Sequence, residues 1–254
     1  MTVLVDIGNT RLKWATLADG ELVDRGGVVH RDALDAAVAA FAAALPAVPR
    51  IVAANVAGEQ VAKRIAALVA ARPGASLTFV ATSAERFGVR CAYADPSRLG
   101  VDRWVAILAA HRRARGAACV IDAGTAATFD AVDGAGTHLG GLIIPGARLL
   151  AAALDRNTSD IGSTATAPAA GRGLELLGRS TDAAVGQGAW LALAAALDRA
   201  VATVTRALQE TPAVYLTGGD AEPLRDWLET RVQLRADLVL EGLALFATDA
   251  KANR

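Results

Sequence analysis

Apolar residues crowd the start of the chain at Val3, Leu4, Val5 and Ile7, and one acid, Asp6, breaks the run near its end. That pattern predicts a buried strand over Thr2 to Asp6 with a carboxylate at its tip. After the small polar turn Gly8-Asn9-Thr10, Leu12, Trp14 and Thr16 alternate with Arg11, Lys13 and Ala15, so the opening predicts a β-hairpin whose turn carries the polar groups. A helix is predicted over Arg31 to Leu45 and a strand over Arg50 to Asn55. A second helix has Val61, Ile65 and Leu68 on one face and stops at Arg72-Pro73-Gly74. A short strand is expected over Leu77 to Ala81. The spacing Val101, Trp104, Val105, Leu108 is helical and puts Asp102 and Arg103 in the first turn, on the side away from the apolar stripe.

At Ala117 the pattern starts again. Ala118 to Ile121 is an apolar run leading into Asp122, the turn Ala123-Gly124-Thr125-Ala126 follows, and Thr128 to Val132 returns as a strand. Both hairpins read strand, Asp, any residue, Gly, a polar residue, strand, which predicts a duplicated mixed α/β unit with halves 1–116 and 117–254. The second half continues with a glycine-rich stretch from Gly134 to Gly146, a helix near Ala147 to Leu154, and a polar linker from Asn157 to Ala170. A long helix is expected from Ser180-Thr181-Asp182 to Leu208, then a strand Ala213 to Leu216 and the turn Thr217-Gly218-Gly219-Asp220. A helix running through Trp227 and a C-terminal helix from Leu238 close the chain.

Composition narrows the chemistry. Lysine plus arginine and aspartate plus glutamate both number 26, which removes the basic footprint of a nucleic-acid binder. Hydrophobic residues make up 53% of the 254, yet much of that is helical alanine, and no window reads as a membrane span. The start lacks the basic, apolar and small-residue succession of a signal peptide, so a cytoplasmic protein is expected. Cys91 and Cys119 form no CxxC pair, and His30, His111 and His138 lie far apart, so any metal is expected on oxygen ligands.

A bound phosphate needs converging backbone N–H groups, and small residues let the backbone approach. Gly8-Asn9-Thr10 and Ala123 to Ala126 meet that need, and each follows an aspartate at a strand end that can hold hydrated Mg²⁺ or a monovalent cation. Lys13 adds a point charge within reach of a transferred phosphate. Asp, Gly and Asn also form ordinary hairpin turns, and either turn alone reads equally as one. No GxxxxGK[ST] loop is present, and Gly134-Ala-Gly136 lacks the third glycine of a dinucleotide fingerprint.

Four segments together resemble the type III pantothenate kinase family: Asp6-Ile-Gly-Asn-Thr10, Gly100-Val-Asp-Arg103, Asp122-Ala-Gly-Thr125 with Thr128 and Asp130, and Gly140-Gly-Leu-Ile-Ile-Pro-Gly146. They span the chain in order. The resemblance implies the actin, Hsp70 and sugar kinase superfamily, with two ribonuclease H-like (actin-like ATPase) domains closing on ATP, and a role in coenzyme A biosynthesis. It implies that Asp6, Ile7, Gly8, Asn9, Thr10, Arg11, Leu12 and Lys13 form the ATP phosphate loop, with Thr125 a second phosphate contact. Asp6 would also meet Mg²⁺ through water, and Asp122 would hold an activating potassium or ammonium ion. Tyr93, Gly100, Val101, Asp102 and Arg103 resemble the pantothenate site, with Asp102 as the base. Thr181 resembles a substrate contact supplied across a homodimer interface.

Plainer duties stay open for these residues. An acid in a first helical turn suits the helix dipole, and Ser180 or Thr181 suits a helix cap. One departure stands after Gly146, where Thr158-Ser159-Asp160-Ile161 replaces the family's Thr followed by Leu-Pro. A kinase of the same superfamily with another small acceptor, or an ATP-binding regulator without phosphotransfer, also fits the turns.

Overall fold

The computed structural model describes residues 1–157, 170, 171 and 173–249. In chain order its elements are β1 (Thr2–Ile7), β2 (Arg11–Ala18), β3 (Glu21–Val29), α1 (Leu34–Ala44), β4 (Arg50–Asn55), α2 (Glu59–Ala70), β5 (Ser76–Phe79), β6 (Glu85–Arg86), β7 (Val89–Arg90) and α3 (Val101–Ala114). They continue with β8 (Ala118–Ala123), β9 (Ala126–Val132), β10 (His138–Pro145), α4 (Ala147–Asn157), α5 (Thr181–Leu208), β11 (Ala213–Thr217), α6 (Ala221–Arg225), β12 (Gln233–Leu234) and α7 (Leu238–Thr248). Two compact units form: one of Met1–Phe87, Tyr93–Ala109 and the described residues from Asp237, the other of Gly88–Ala92 and Ala110–Ala236.

The first unit is built on a sheet of order β3-β2-β1-β4-β5. β1 is central because it is apolar on both faces. Val3, Val5 and Ile7 pack with Phe41 of α1 and with Val61 and Ile65 of α2, while Leu4 on the alternate side is fully buried. β1 runs antiparallel to β2 and parallel to β4. The C-terminal helix α7 packs on β1 and β4 of this unit. β3 lies outside the sequence-predicted pattern. It is joined to β2 by Asp19 and Gly20, both at positive φ (49° and 84°), the signature of a type I′ hairpin turn.

The second unit repeats the plan. Its sheet order is β10-β9-β8-β11-β12, with β8 antiparallel to β9, β9 antiparallel to β10, and β8 and β11 parallel to their outer neighbours. Three antiparallel strands followed by two parallel ones, in the same spatial order, therefore occur in both units. The glycine-rich stretch read from sequence contributes β10. α5 covers this sheet with Trp190, Leu193 and Leu197, which join Ile121 and Phe129 in one core.

Several expected bounds shift. α1 starts at Leu34 rather than Arg31, and β5 ends at Phe79. The helix expected through Trp227 stops at Arg225, and Trp227 stacks on Trp190 at a centroid distance of 6.4 Å. Most of the expected linker, and with it the departure at Thr158 to Ile161, lies outside the described residues. Among the described residues no helix is long and apolar enough to cross a membrane.

Cys119 of β8 is fully buried, and burial pushes its thiol up to about 12. An unfolded thiol titrates near about 8.5. Above that pH the unfolded chain has released a proton that the native chain keeps, so native stability falls as pH rises through the window between those values. Urea unfolding followed from about pH 8 to about pH 10 is expected to show a steeper loss for wild type than for Cys119→Ala. Equal slopes would show that the thiol contributes nothing.

Candidate active site

The end of β1 and the start of β2 are paired so that Asp6 lies opposite Lys13 and Ile7 opposite Leu12. Directly opposed residues share a face of the sheet, so half-buried Asp6 and half-buried Lys13 are cross-strand neighbours at the strand tip. Between them, the Gly8 N–H donates to the Arg11 carbonyl at 3.0 Å and closes the turn. That amide is committed to the fold. Asn9 is the exposed residue of the turn.

The four residues of the GxDR segment come together in the same unit. Asp95 starts a 3₁₀ turn at Pro96–Arg98 by accepting from the Ser97 hydroxyl at 2.7 Å and the Ser97 N–H at 3.0 Å, and these bonds hold its carboxyl below the usual range. Thr82 donates to the Leu99 carbonyl at 2.9 Å, fixing the approach to Gly100. α3 then begins at Val101. The Asp102 carboxylate accepts the Arg103 N–H at 2.7 Å and lies so close to Gly100 that a Cβ there would stand 2.7 Å from Oδ1. Any side chain at residue 100 would displace it.

Arg103 corrects the expectation that it points away from the core. It is buried, and its guanidinium donates to the Tyr93 hydroxyl at 3.3 Å. Val101 and Asp102 are half-buried beside it. The helical period placed this residue opposite the apolar stripe, but the segment carrying Tyr93 covers that side.

The turn of the second unit is one residue tighter. Asp122 pairs with Thr128 and Ala123 with Ala127, so the position that Lys13 fills beside Asp6 is filled by a hydroxyl beside Asp122. The Gly124 N–H donates to Ala126 at 3.1 Å, and the turn's carbonyls are held by backbone: Thr125 accepts from Gly146 at 2.9 Å and Ala123 from Asp220 at 2.9 Å. Those contacts need glycine. A Cβ on Gly146 would stand 2.2 Å from the Gly124 oxygen, and one on Gly218 (φ +101°) would stand 2.2 Å from the Ala123 oxygen and 2.5 Å from Asp122 Oδ1. The Gly140 to Gly146 motif and the Gly218-Gly219 turn thus both brace Asp122 and Thr125. Arg148 pairs with Asp220 at 3.2 Å on the same rim.

Thr181 is exposed at the first position of α5. The cap is Ser180, whose hydroxyl accepts the Ala183 N–H at 3.2 Å, so Thr181 has no capping duty. Sequence reasoning missed two histidines. His30 is buried against the Gly8 turn. His138 is buried with Nε2 3.1 Å from Asp130 Oδ1, and its Nδ1 accepts the Ala92 N–H at 3.4 Å. The signal that would have located His30 was Asp19-Gly20, a hairpin dipeptide that implies β3. Among the described residues, no three His, Cys, Asp or Glu side chains gather as a metal site.

Two units of one plan, each with an aspartate and a small turn at the end of its central strand, define the actin-like ATPase and sugar kinase fold. The ethanolamine utilization protein EutJ of Carboxydothermus hydrogenoformans shares it, with a TM-score of 0.55 over 96% of this chain and 88% of that one at 15% identity. Residues 2–203 match the type III pantothenate kinase family. A type III pantothenate kinase of Nitrosococcus oceani is 35% identical across 100% of this chain and 96% of its own. One from Alkalilimnicola ehrlichii is 39% identical, with 98% of each chain covered. The chain belongs to the type III pantothenate kinase family, whose members are ATP-dependent phosphotransferases.

Proposed function

We infer that the chain transfers the γ-phosphate of ATP to the hydroxyl of pantothenate, giving 4′-phosphopantothenate in the first step of coenzyme A biosynthesis. Membership of the family supports the reaction. The observation that carries the acceptor is the start of α3, where a half-buried carboxylate lies against Gly100 and the next residue, a buried arginine, donates to a tyrosine hydroxyl.

Phosphoryl transfer has a loose transition state, so the protein works chiefly by positioning and by offsetting charge. Asp102 orients the acceptor hydroxyl and takes its proton. Arg103, fixed by Tyr93, offers a cation to an acceptor that is itself an acid. Gly100 and Val101 shape the pocket floor. The turn from Asp6 to Lys13 binds ATP phosphates, and Thr125 is a further phosphate contact. Asp6 would hold Mg²⁺ through water, where the ion would supply positive charge against the nucleotide's phosphates.

Asp122 suits a monovalent cation better than Asp6 does. Asp6 has an ammonium group as its cross-strand neighbour, whereas Asp122 has the Thr128 hydroxyl and lies against backbone at Gly218. A carboxylate beside a hydroxyl offers oxygen ligands to such a cation. The free thiols of Cys91 and Cys119 suit a reducing cytoplasm, and cell fractionation tests that location. Homodimer formation is supported by large apolar side chains exposed on consecutive elements of the second unit: Leu142 and Ile143 on β10, Leu149 on α4 and Leu191 on α5. Thr181, at the start of α5, would then reach a substrate site near that interface.

Pantothenate-dependent release of ADP is expected from the wild type, and Asp102→Asn should lower kcat by about 10²–10⁴-fold while the far-ultraviolet spectrum stays native. A folded Asp102→Asn enzyme with full turnover removes the assigned base. Replacing potassium and ammonium by a bulky organic cation should depress wild-type turnover and leave Asp122→Asn unaffected; a wild type indifferent to the exchange has no such site. Sedimentation equilibrium should give a dimer that Ile143→Glu disrupts, and a wild-type monomer at assay concentration ends the interface proposal.

A further inference from the structure

The turn after β1 is held from beneath by a residue with no part in the scheme above. His30, immediately after β3, is 4% exposed. Its backbone N–H donates to the Thr10 carbonyl at 3.0 Å, and its ring Nε2 lies 2.7 Å from the Gly8 carbonyl oxygen. A carbonyl oxygen only accepts, so Nε2 must carry a proton.

The Gly8 carbonyl and the Asn9 N–H belong to one planar trans peptide unit and point in opposite directions. Drawing the carbonyl toward a buried ring therefore turns the Asn9 N–H away from the core, at the exposed residue of the turn. The same bond polarises the peptide and makes that N–H a stronger donor. The second unit reaches a comparable state by other means, since its turn carbonyls are held by the Gly146 and Asp220 amides. The first unit assigns the task to a side chain, His30.

We propose that His30 is a positioning residue for the nucleotide: through the Gly8 carbonyl it aims the Asn9 N–H at a phosphate oxygen. The proposal rests on the phosphate-binding role of this turn.

Full-length His30→Leu and His30→Gln separate the two ideas. Calorimetry with ATP should show a loss of affinity of about tenfold for His30→Leu, the worth of one well-placed hydrogen bond. The KM for ATP should rise in parallel while the KM for pantothenate stays within about twofold. His30→Gln, which keeps an N–H donor on a side chain of similar reach, should recover most of the loss. A folded His30→Leu protein with wild-type ATP affinity overturns the positioning role and leaves the kinase assignment intact. Equal rises in both KM values overturn it too, because they signify general distortion. A wild type that binds no ATP removes the phosphate turn and this proposal together.

If His30→Leu does not fold, ¹⁵N spectra of the wild type decide. Nε2 protonated in the His30 ring, with a downfield shift of the Asn9 amide proton on adding ATP, supports the role. A ring protonated at Nδ1 alone, or an Asn9 amide that ATP does not shift, overturns it.

Discussion

Both hairpin turns depend on the orientation of a few peptide units at the ends of two central strands. A backbone can grip a polyanion only where its N–H groups point outward, and each outward N–H requires its carbonyl to be satisfied inward. The first unit satisfies such carbonyls with His30. The second satisfies them with the Gly146 and Asp220 amides. The apolar strands, the helices that cover them and the glycines that permit close approach all serve to keep those few planes still.

Duplication supplied the plan, and divergence at single positions separates the halves. Both sheets have the same order and strand directions, yet the second hairpin turn is one residue shorter, so a lysine opposite one aspartate becomes a threonine opposite the other. Two carboxylates of the same origin thus face different cross-strand partners, Lys13 and Thr128.

Much of this was legible in the residues. Alternation and apolar runs located β1, β2, β8 and β9, because a buried strand imposes its period on every side chain it carries. The recurrence of Asp-x-Gly located both turns, and the GxDR segment located the start of α3. Less legible were β3 and β10. Their exposed positions and glycines blur the alternation, and only the turn residues Asp19-Gly20 and Asp133 to Gly136 betray them. In the latter turn Asp133 accepts the Ala135 and Thr137 N–H groups at 3.0 and 2.7 Å. Arg103 misled because helical periodicity describes one helix and its core, whereas Arg103 is buried and meets Tyr93, ten positions earlier. His30 carried no motif at all. Its significance lies in a contact 22 residues away in the chain, which spacing alone does not reveal.

The buried thiol of Cys119 has a practical corollary. A thiol with no exposed surface, pushed up to about 12 by burial, is expected to react slowly with maleimides at neutral pH. The chain's other cysteine, Cys91, is half-buried and lies two positions before Tyr93. The native protein thus offers one attachment point for a fluorescent or spin label, close in sequence to the residue that fixes Arg103, without any engineering of the thiols.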